Sequence, residues 1–356
     1  MKQQQGSMNG TRVTGAITLS HGSGGKAMRD LVEKEIVAAF ENPLLTPLED
    51  QARIPLSLLA DYGDRLAFTT DSFVVDPIFF PGGDIGSLAV NGTVNDLAMG
   101  GAQPLYLTCG FIIEEGLPLE TFRQIVASMR RAADKANVAI VSGDTKVVHR
   151  GTADKIFINT SGVGVIASDV DIRADRAKPG DVVIVNGWVG DHAAAIMTER
   201  NDLAIKASIT SDCRPLTREV QALQEVCPDI HCLRDATRGG LATVLNEFAQ
   251  SSQVRIVLEQ SAIPVRPEVR GLCELLGLDP LYLANEGKFV AVVPQAYADE
   301  CVAVLKRIEG AEQSAIIGKI EAVAQHQPKP AVTTTTSLGS ERLLDMLIGD
   351  QLPRIC

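Results

Sequence analysis

Along residues 25–40, GKAMRDLVEKEIVAAF, apolar side chains return at three- and four-residue steps through Met28, Leu31, Val32, Ile36 and Ala39, which predicts an amphipathic helix. The period then changes. In RLAFTTDSFVV, β-branched and aromatic residues alternate with polar ones, the pattern of a strand, and Asp71 lies toward its end. GGDIGSLAVNGTVNDLAMGGA predicts a helix that opens at Asp84, a good N-cap, and stops at GGA. Its small residues Ala89 and Gly92 would let another backbone approach, with Gly92 costing about 1 kcal/mol of helix propensity against Ala. PLYLTCGFII and KIFINTSGVGVI read as strands, LETFRQIVASMRRAADKAN as a helix, and VAIVSGDTKVV as a strand running into a loop.

This alternation pauses at RADRAKPGD, where Pro and charge mark a domain boundary near residue 175. A second alternation begins at DVVIVNGWVGDHAAAIM and runs to about residue 323. QHQPKPAVTTTTS has the composition of a linker, SERLLDMLIGDQ is a short helical candidate, and Pro353 cannot join it comfortably. The expected organisation is an N-terminal domain over 15–172, a C-terminal domain over 173–325, and a flexible tail over 326–356 that ends in Cys356.

Composition narrows the class. Hydrophobic residues at 45% and 31 glycines suit an α/β protein with tight turns, and the net charge of −11 argues against nucleic acid or an anionic membrane as partner. With no apolar run of spanning length and no secretory signal in MKQQQGSMNGTRVTG, a cytoplasmic location is expected. The cysteines are odd in number and contain no CxxC pair, which favours reduced thiols. Cys109 sits in an apolar run as a small core residue. CPDIHC, with Cys227, His231 and Cys232, matches no standard zinc spacing and reads as a loop entering a strand. Only Cys356 has a position that packing does not explain, because an exposed thiol on a tether is a liability unless its reactivity is wanted.

Carboxylates gather at strand ends and glycine-rich turns: Asp50, Asp71, Asp96, Asp144 and Asp235. Each is either an ordinary turn or cap residue or a ligand in a shared cleft, where several would hold Mg²⁺, which commonly uses one or two carboxylates plus phosphate oxygens. HGSGGK, GGDIG, SGDTK and DATRGG add backbone N–H groups that phosphate oxygens could approach. No nucleotide motif of the standard kinds is present. HGSGGKA lacks the P-loop spacing and places Ala27 where a metal-binding hydroxyl belongs, and no GxGxxG follows a strand.

HGSGG, TTDSFVVDPIFFPGGDIGSLAVNGTVNDLAMGGAQP, SGDTKVV, RDATRGGLATVLNEFA, DPLYLANEGK and the final LPRIC, in that order over nearly the whole chain, resemble the HypE family of hydrogenase maturation factors. That family belongs to the PurM-like, or aminoimidazole ribonucleotide synthetase, superfamily. The resemblance implies an α/β (α+β) two-domain fold whose N-terminal domain dimerises through its strands, with ATP near that interface and a C-terminal domain closing the cleft. It implies a homodimer that is loaded by the carbamoyltransferase HypF and delivers to the HypC–HypD iron–cyanide assembly complex. Its activity would be ATP-dependent dehydration of an S-carbamoyl group on Cys356 to a thiocyanate, the cyanide source for [NiFe]-hydrogenase iron.

An amide oxygen leaves poorly unless a phosphoryl group is placed on it, so the implied roles follow the charges. Mg²⁺ falls to Asp71, Asp96 and Asp235 with Asp50 nearby, and nucleotide to Asp71, Asn95, Asp96, Gly143, Asp144 and Gly239, with Asn95 facing nucleotide or tail. Lys146 would stabilise the transferring phosphate. Glu286 is either the base or a structural ion-pair partner of Lys288 or another cation, and His21 is either a second base or a loop residue against phosphate or backbone. Arg354 and Pro353 would fix the approach of Cys356. Selenophosphate synthetase shares the framework but carries a reactive Cys or selenocysteine in the loop that reads HGSGGK here. A non-catalytic carrier would not need the retained aspartates.

Overall fold

The computed structural model describes residues 15–200, 209–323, 329–336, 339–347, 349 and 354–356. Pro353 and residues 1–14 lie outside them. The periodic stretch at 25–40 is helical throughout, as α1 (Lys26–Leu31), a π-wound turn (Val32–Val37) and α2 (Ala38–Phe40), with Leu31 and Phe40 buried. Strands β1 (Arg65–Phe73), β4 (Ala102–Glu114), β5 (Ala139–Val148) and β6 (Ile156–Ile166) form a sheet in the order β1-β6-β4-β5, in which only β4 and β5 run parallel. A two-residue hairpin, β2 (Phe79–Phe80) with β3 (Gly83–Asp84), leads into α3 (Ile85–Met99), and α4 (Leu119–Ala136) packs beside α3. The other sheet face is open and mixed, with Leu66, Ile112 and, at 71% exposure, Phe68 beside a polar group of Thr70, Ser72, Asn159 and Ser161.

The C-terminal domain contains β7 (Asp181–Val185), α5 (Asp191–Glu199), α6 (Thr217–Val226), β8 (Cys232–Asp235), α7 (Gly240–Ser252) and β9 (Arg255–Glu259). It continues through α8 (Pro267–Leu276), β10 (Phe289–Pro294), α9 (Ala298–Leu305) and β11 (Ala315–Glu321). Leu245 and Phe248 of α7 cover one sheet face beside Ile256 and Val292, while Leu223 of α6 and Leu305 of α9 cover the other beside Ile184 and Val293. A sheet buried on both faces needs near-continuous apolar strands, and β7 and β10 have them.

Two expectations are corrected here. The stretch read as linker and helix forms β12 (Ala331–Thr335), parallel to β9, and β13 (Glu341–Leu343), antiparallel to β12, at the edge of that sheet. The β-branched Val-Thr run suits a pleated surface, and Val332, Thr334 and Leu344 are fully buried by partners far away in sequence. Gly92 does make room, but for the Phe73 ring, which would stand 2.9 Å from an added Cβ, rather than for a backbone.

Helix α3 is the seam between the domains. Asp84 caps it by accepting from Gly86 N (2.7 Å) and Ser87 N (3.1 Å), and the helix packs on β1, β4 and β6 while also touching β8 and α6. Buried on nearly every side, it is apolar nearly all round. Its Asn95, fully buried, donates to Arg214 O (3.0 Å) and Glu286 O (3.2 Å) and accepts from Leu216 N (2.8 Å). Asn95 therefore ties α3 to two C-terminal-domain loops, and its amide is engaged by backbone instead of facing nucleotide or tail. Replacing Asn95 by Ala leaves those groups unpaired, so Asn95→Ala is expected to lower unfolding free energy by about 2–4 kcal/mol, measured by urea denaturation.

Candidate active site

The end of the tail lies in the groove between the domains. Val74 N donates to Cys356 O (3.1 Å) and Asp76 N to Arg354 O (3.4 Å), so residues 354–356 run along the segment that follows β1. Arg354 Nε returns a bond to Val74 O (3.0 Å), and its guanidinium pairs with Asp154. From the C-terminal domain, His192 Nε2 donates to Ile355 O (2.8 Å) and Arg200 Nη2 to Arg354 O (2.6 Å). Burial holds the His192 pKa below its ordinary value; the neutral ring accepts from Ser211 Oγ at Nδ1 (2.8 Å), which leaves Nε2 the donor. Ile355 is buried in an apolar cluster to which both domains contribute, and these contacts read main chain more than side chain.

The Cys356 sulfur thereby meets an acidic cluster. Burial first, and then the charge of Glu286, push its pKa up to about 11, while the Arg238 guanidinium, within hydrogen-bonding reach of the sulfur, pulls the other way. Arg238 also pairs with Asp71 (3.0 Å). Asp96, on α3, accepts from Thr69 Oγ1 (2.8 Å), and burial raises its pKa. At the end of β8, Asp235 has its pKa raised to about 7 by burial and by Asp96. Glu286 is buried, its Oε1 has no hydrogen-bond partner, and desolvation followed by the charge of Asp235 holds its pKa well above the carboxylate range.

The geometry places Lys288 away from Glu286. Lys288 pairs with Asp212 (3.2 Å) and donates to Gly287 O (3.0 Å), so it does not neutralise Glu286. Glu286, Asp71, Asp96, Asp235 and Cys356 thus share one electrostatic neighbourhood. Gly239, left-handed at φ 66° where α7 begins, lines the Cys356 cavity.

The remaining predicted residues collect elsewhere. Gly143, Asp144 and Lys146 lie on β5, the sheet edge opposite β1, and His21 lies in a short turn that packs on β5. Lys146 pairs with Asp144 (2.7 Å), and this contact lowers the Asp144 pKa. Gly143 is required by the sheet itself, because an added Cβ would stand 2.2 Å from Cys109 O. A cavity of about 220 Å³ lies beside it, between the N-terminal helix and the sheet, with Glu49 and Asp144 among its lining residues. Asp50, next to Glu49, is exposed, and among the described residues no hydrogen bond or ion pair joins it to the Asp71 cluster. In CPDIHC, His231 is held by Asp181 (2.7 Å) and Asp229 (3.1 Å), and Cys227 is a buried core residue in one apolar cluster with Cys301.

Asp71, Asp96 and Asp235 offer hard oxygen donors with more negative charge than their surroundings neutralise, which is the chemistry of a divalent-cation site. Among the described residues no group of three or more His, Cys, Asp or Glu is placed to hold a metal ion by itself.

Residues 49–166 match the family model described as AIR synthase related protein, N-terminal domain, and residues 178–328 match that of its C-terminal domain. The carbamoyl dehydratase HypE of Rhodobacter capsulatus is 53% identical over 341 residues, covering 96% of this chain and 98% of that protein. The chain belongs to the HypE carbamoyl dehydratase family. A crystal structure of HypE in complex with ATP aligns with a TM-score of 0.90 at 49% identity, covering 95% of this chain and 99% of that one. A HypE–HypF complex aligns at 0.76 and 44% identity, covering 89% of this chain and 99% of that one.

Sequence reasoning did not single out Arg238, which lines the Cys356 cavity, or His192 and Arg200, which hold the docked tail. Arg238 stood inside the quoted DATRGG, between two residues that were singled out. His192 and Arg200 had no local signal, since what marks them is contact with a segment more than 150 positions away.

The cluster makes stability pH-dependent. The folded chain holds the Asp235 proton up to about pH 7 against an ordinary value of 3.8, so the Asp235 contribution to stability without divalent cations is fully present below about pH 4 and is lost as pH rises to about 7. Thermal melts in chelator should show Tm decreasing from pH 5 to pH 8, with a shallower slope for Asp235→Asn.

Proposed function

We propose that this chain is an ATP-dependent carbamoyl dehydratase whose substrate is the carbamoyl group on its own Cys356. The product is a thiocyanate, which supplies cyanide to the iron of [NiFe]-hydrogenase during maturation. The observation that carries this reading is the docking of a tail-borne sulfur beside a buried carboxyl that has no partner. Dehydration must remove the carbonyl oxygen and both amide protons. A carboxyl whose pKa is raised by burial makes a strong proton acceptor once ionised, and Glu286 is such a group. ATP supplies the phosphoryl group that carries the oxygen away, with Mg²⁺ held by Asp71, Asp96 and Asp235 and with Asp50 placed to join only from outside the cluster.

The docked thiol, with a pKa of about 11, is protonated at neutral pH and is a poor nucleophile. Loading therefore belongs to a state in which the tail has left the groove, with the carbamoyltransferase HypF as donor. Release from the groove likewise precedes transfer to the HypC–HypD complex. Residues 354–356, docked by a few main-chain hydrogen bonds, would exchange between groove and partners in a cytoplasmic enzyme while β12 and β13 stay in the sheet, and this satisfies both demands. Among the described residues no helix is long and apolar enough to cross a membrane.

A homodimer accounts for the open sheet face. Leu66, Phe68 and Ile112 would be covered by a second copy, and a two-fold pairing of the sheets would set the β5 edge of one protomer beside the β1 edge of the other. Within one protomer the two edges are separated by three strand spacings, about 14 Å. Across the dimer, His21, Gly143, Asp144 and Lys146 would then face Asp71, Asp96 and Asp235 around one nucleotide.

The test is the mass of the C-terminal peptide after incubation with carbamoyltransferase, carbamoyl donor and ATP. The wild-type peptide gains a carbamoyl group and then loses one water when ATP is added. Cys356→Ala should abolish both changes while leaving Tm within a degree or two, because the thiol adds little to either core. Glu286→Gln should load normally but lose water about 10²–10⁴-fold more slowly, with ATP binding retained. Water loss at the wild-type rate in Glu286→Gln would remove Glu286 from the chemistry.

A further inference from the structure

The surroundings of the Cys356 sulfur have a donor side and an acceptor side. Arg238, in the turn between β8 and α7, faces the sulfur and lines the same cavity, of about 320 Å³, as Gly239, Ile355 and Cys356. One of its N–H groups goes to Asp71 (3.0 Å), and the side chain is 72% exposed, so other N–H groups remain available. The second cation of this cavity, Arg354, is turned away into Asp154 and Val74 O. Tyr282 donates its hydroxyl to Asp345 O (2.9 Å). The acceptor is Glu286, whose buried Oε1 has no partner and whose charge acts on the sulfur although the residue does not line this cavity.

A carbamoyl group has matching polarity: its oxygen accepts and its nitrogen donates. We infer that Arg238 is a catalytic residue that binds the carbamoyl oxygen, the atom that must leave, while Glu286 takes the amide side. The inference rests on the dehydratase reading above. In the balanced reaction, R–S–C(=O)NH₂ and ATP give R–S–C≡N, ADP, phosphate and a proton. The carbamoyl oxygen takes the γ-phosphoryl group as the bond from phosphorus to ADP breaks, then departs in phosphate as both N–H bonds break and the C–N bond goes from single to triple, with Glu286 accepting one proton and the other leaving with phosphate or solvent. Arg238 remains a cation throughout, because Asp71 raises its already high pKa, so it acts by hydrogen bonding and charge and not by proton transfer. Its bond to Asp71 turns the leaving oxygen toward the carboxylates that would hold the metal, so the atom to be phosphorylated faces the phosphate site.

The test uses the full-length protein carrying a ¹³C-carbamoyl group on Cys356. Without ATP, the carbonyl resonance should be displaced from its position in the unfolded chain in wild type and in Glu286→Gln, and should return toward that position in Arg238→Gln. With ATP, single-turnover water loss in Arg238→Gln should fall about 100-fold, as for a lost oxyanion donor. The ATP concentration giving half-maximal rate should stay within about threefold of wild type, and Arg238→Lys should recover part of the rate. Tm should not change, since the side chain is exposed. An Arg238→Gln protein with the wild-type carbonyl resonance, or with the wild-type rate, overturns the inference. If the wild-type loaded tail fails to lose water with ATP, the dehydratase reading fails instead, and the carbonyl resonance still decides what Arg238 binds.

Discussion

Asp96, Asp235 and Glu286 are placed together in low-dielectric surroundings at the domain seam without cations to match, and this imbalance organises the rest of the structure. Desolvation and mutual repulsion act in the same direction on them, which is why their pKa values rise together. The cations close by are already committed. Lys288 holds Asp212, and Arg238 is shared between Asp71 and the tail. A fold tolerates such an arrangement only where elements on both sides hold the carboxylates in place, and α3, bonded through Asn95 to the C-terminal-domain loops, is one such clamp.

The tail docks through hydrogen bonds to the carbonyl oxygens of residues 354, 355 and 356, which any side chain on Cys356 would leave intact. The groove can therefore accept the residue bare or modified. Covalent attachment replaces substrate affinity with effective concentration, so the enzyme needs no separate pocket to capture a small substrate. Burial in the groove raises the thiol pKa and so disfavours the thiolate there.

Much of this was legible from residue order alone. The period-2 and period-3.6 stretches gave correct element types through both domains, because in those segments local propensity and burial demand the same thing. Motif order pointed to the family, and DATRGG, TTDSF and ANEGK lie at one cleft. The failures share a cause. TTTTS read as linker because its strand partner is β9, distant along the chain, and Asn95 read as a ligand because its three bonds are to backbone in another domain.

By itself, then, the sequence determined the two-domain α/β plan, the residues rich in chemistry and the lone cysteine that packing could not explain, since each is written in local pattern or in residue type. Only the tertiary structure decided which carboxylates share a neighbourhood, that Lys288 serves Asp212 and leaves Glu286 unpaired, that His21 and Lys146 stand with β5 and apart from Asp71, and that Arg238 faces the sulfur. Those outcomes depend on strand order and on how the domains close over α3. Burial and Coulomb interactions depend on distance in space, and composition and spacing along the chain do not specify that distance.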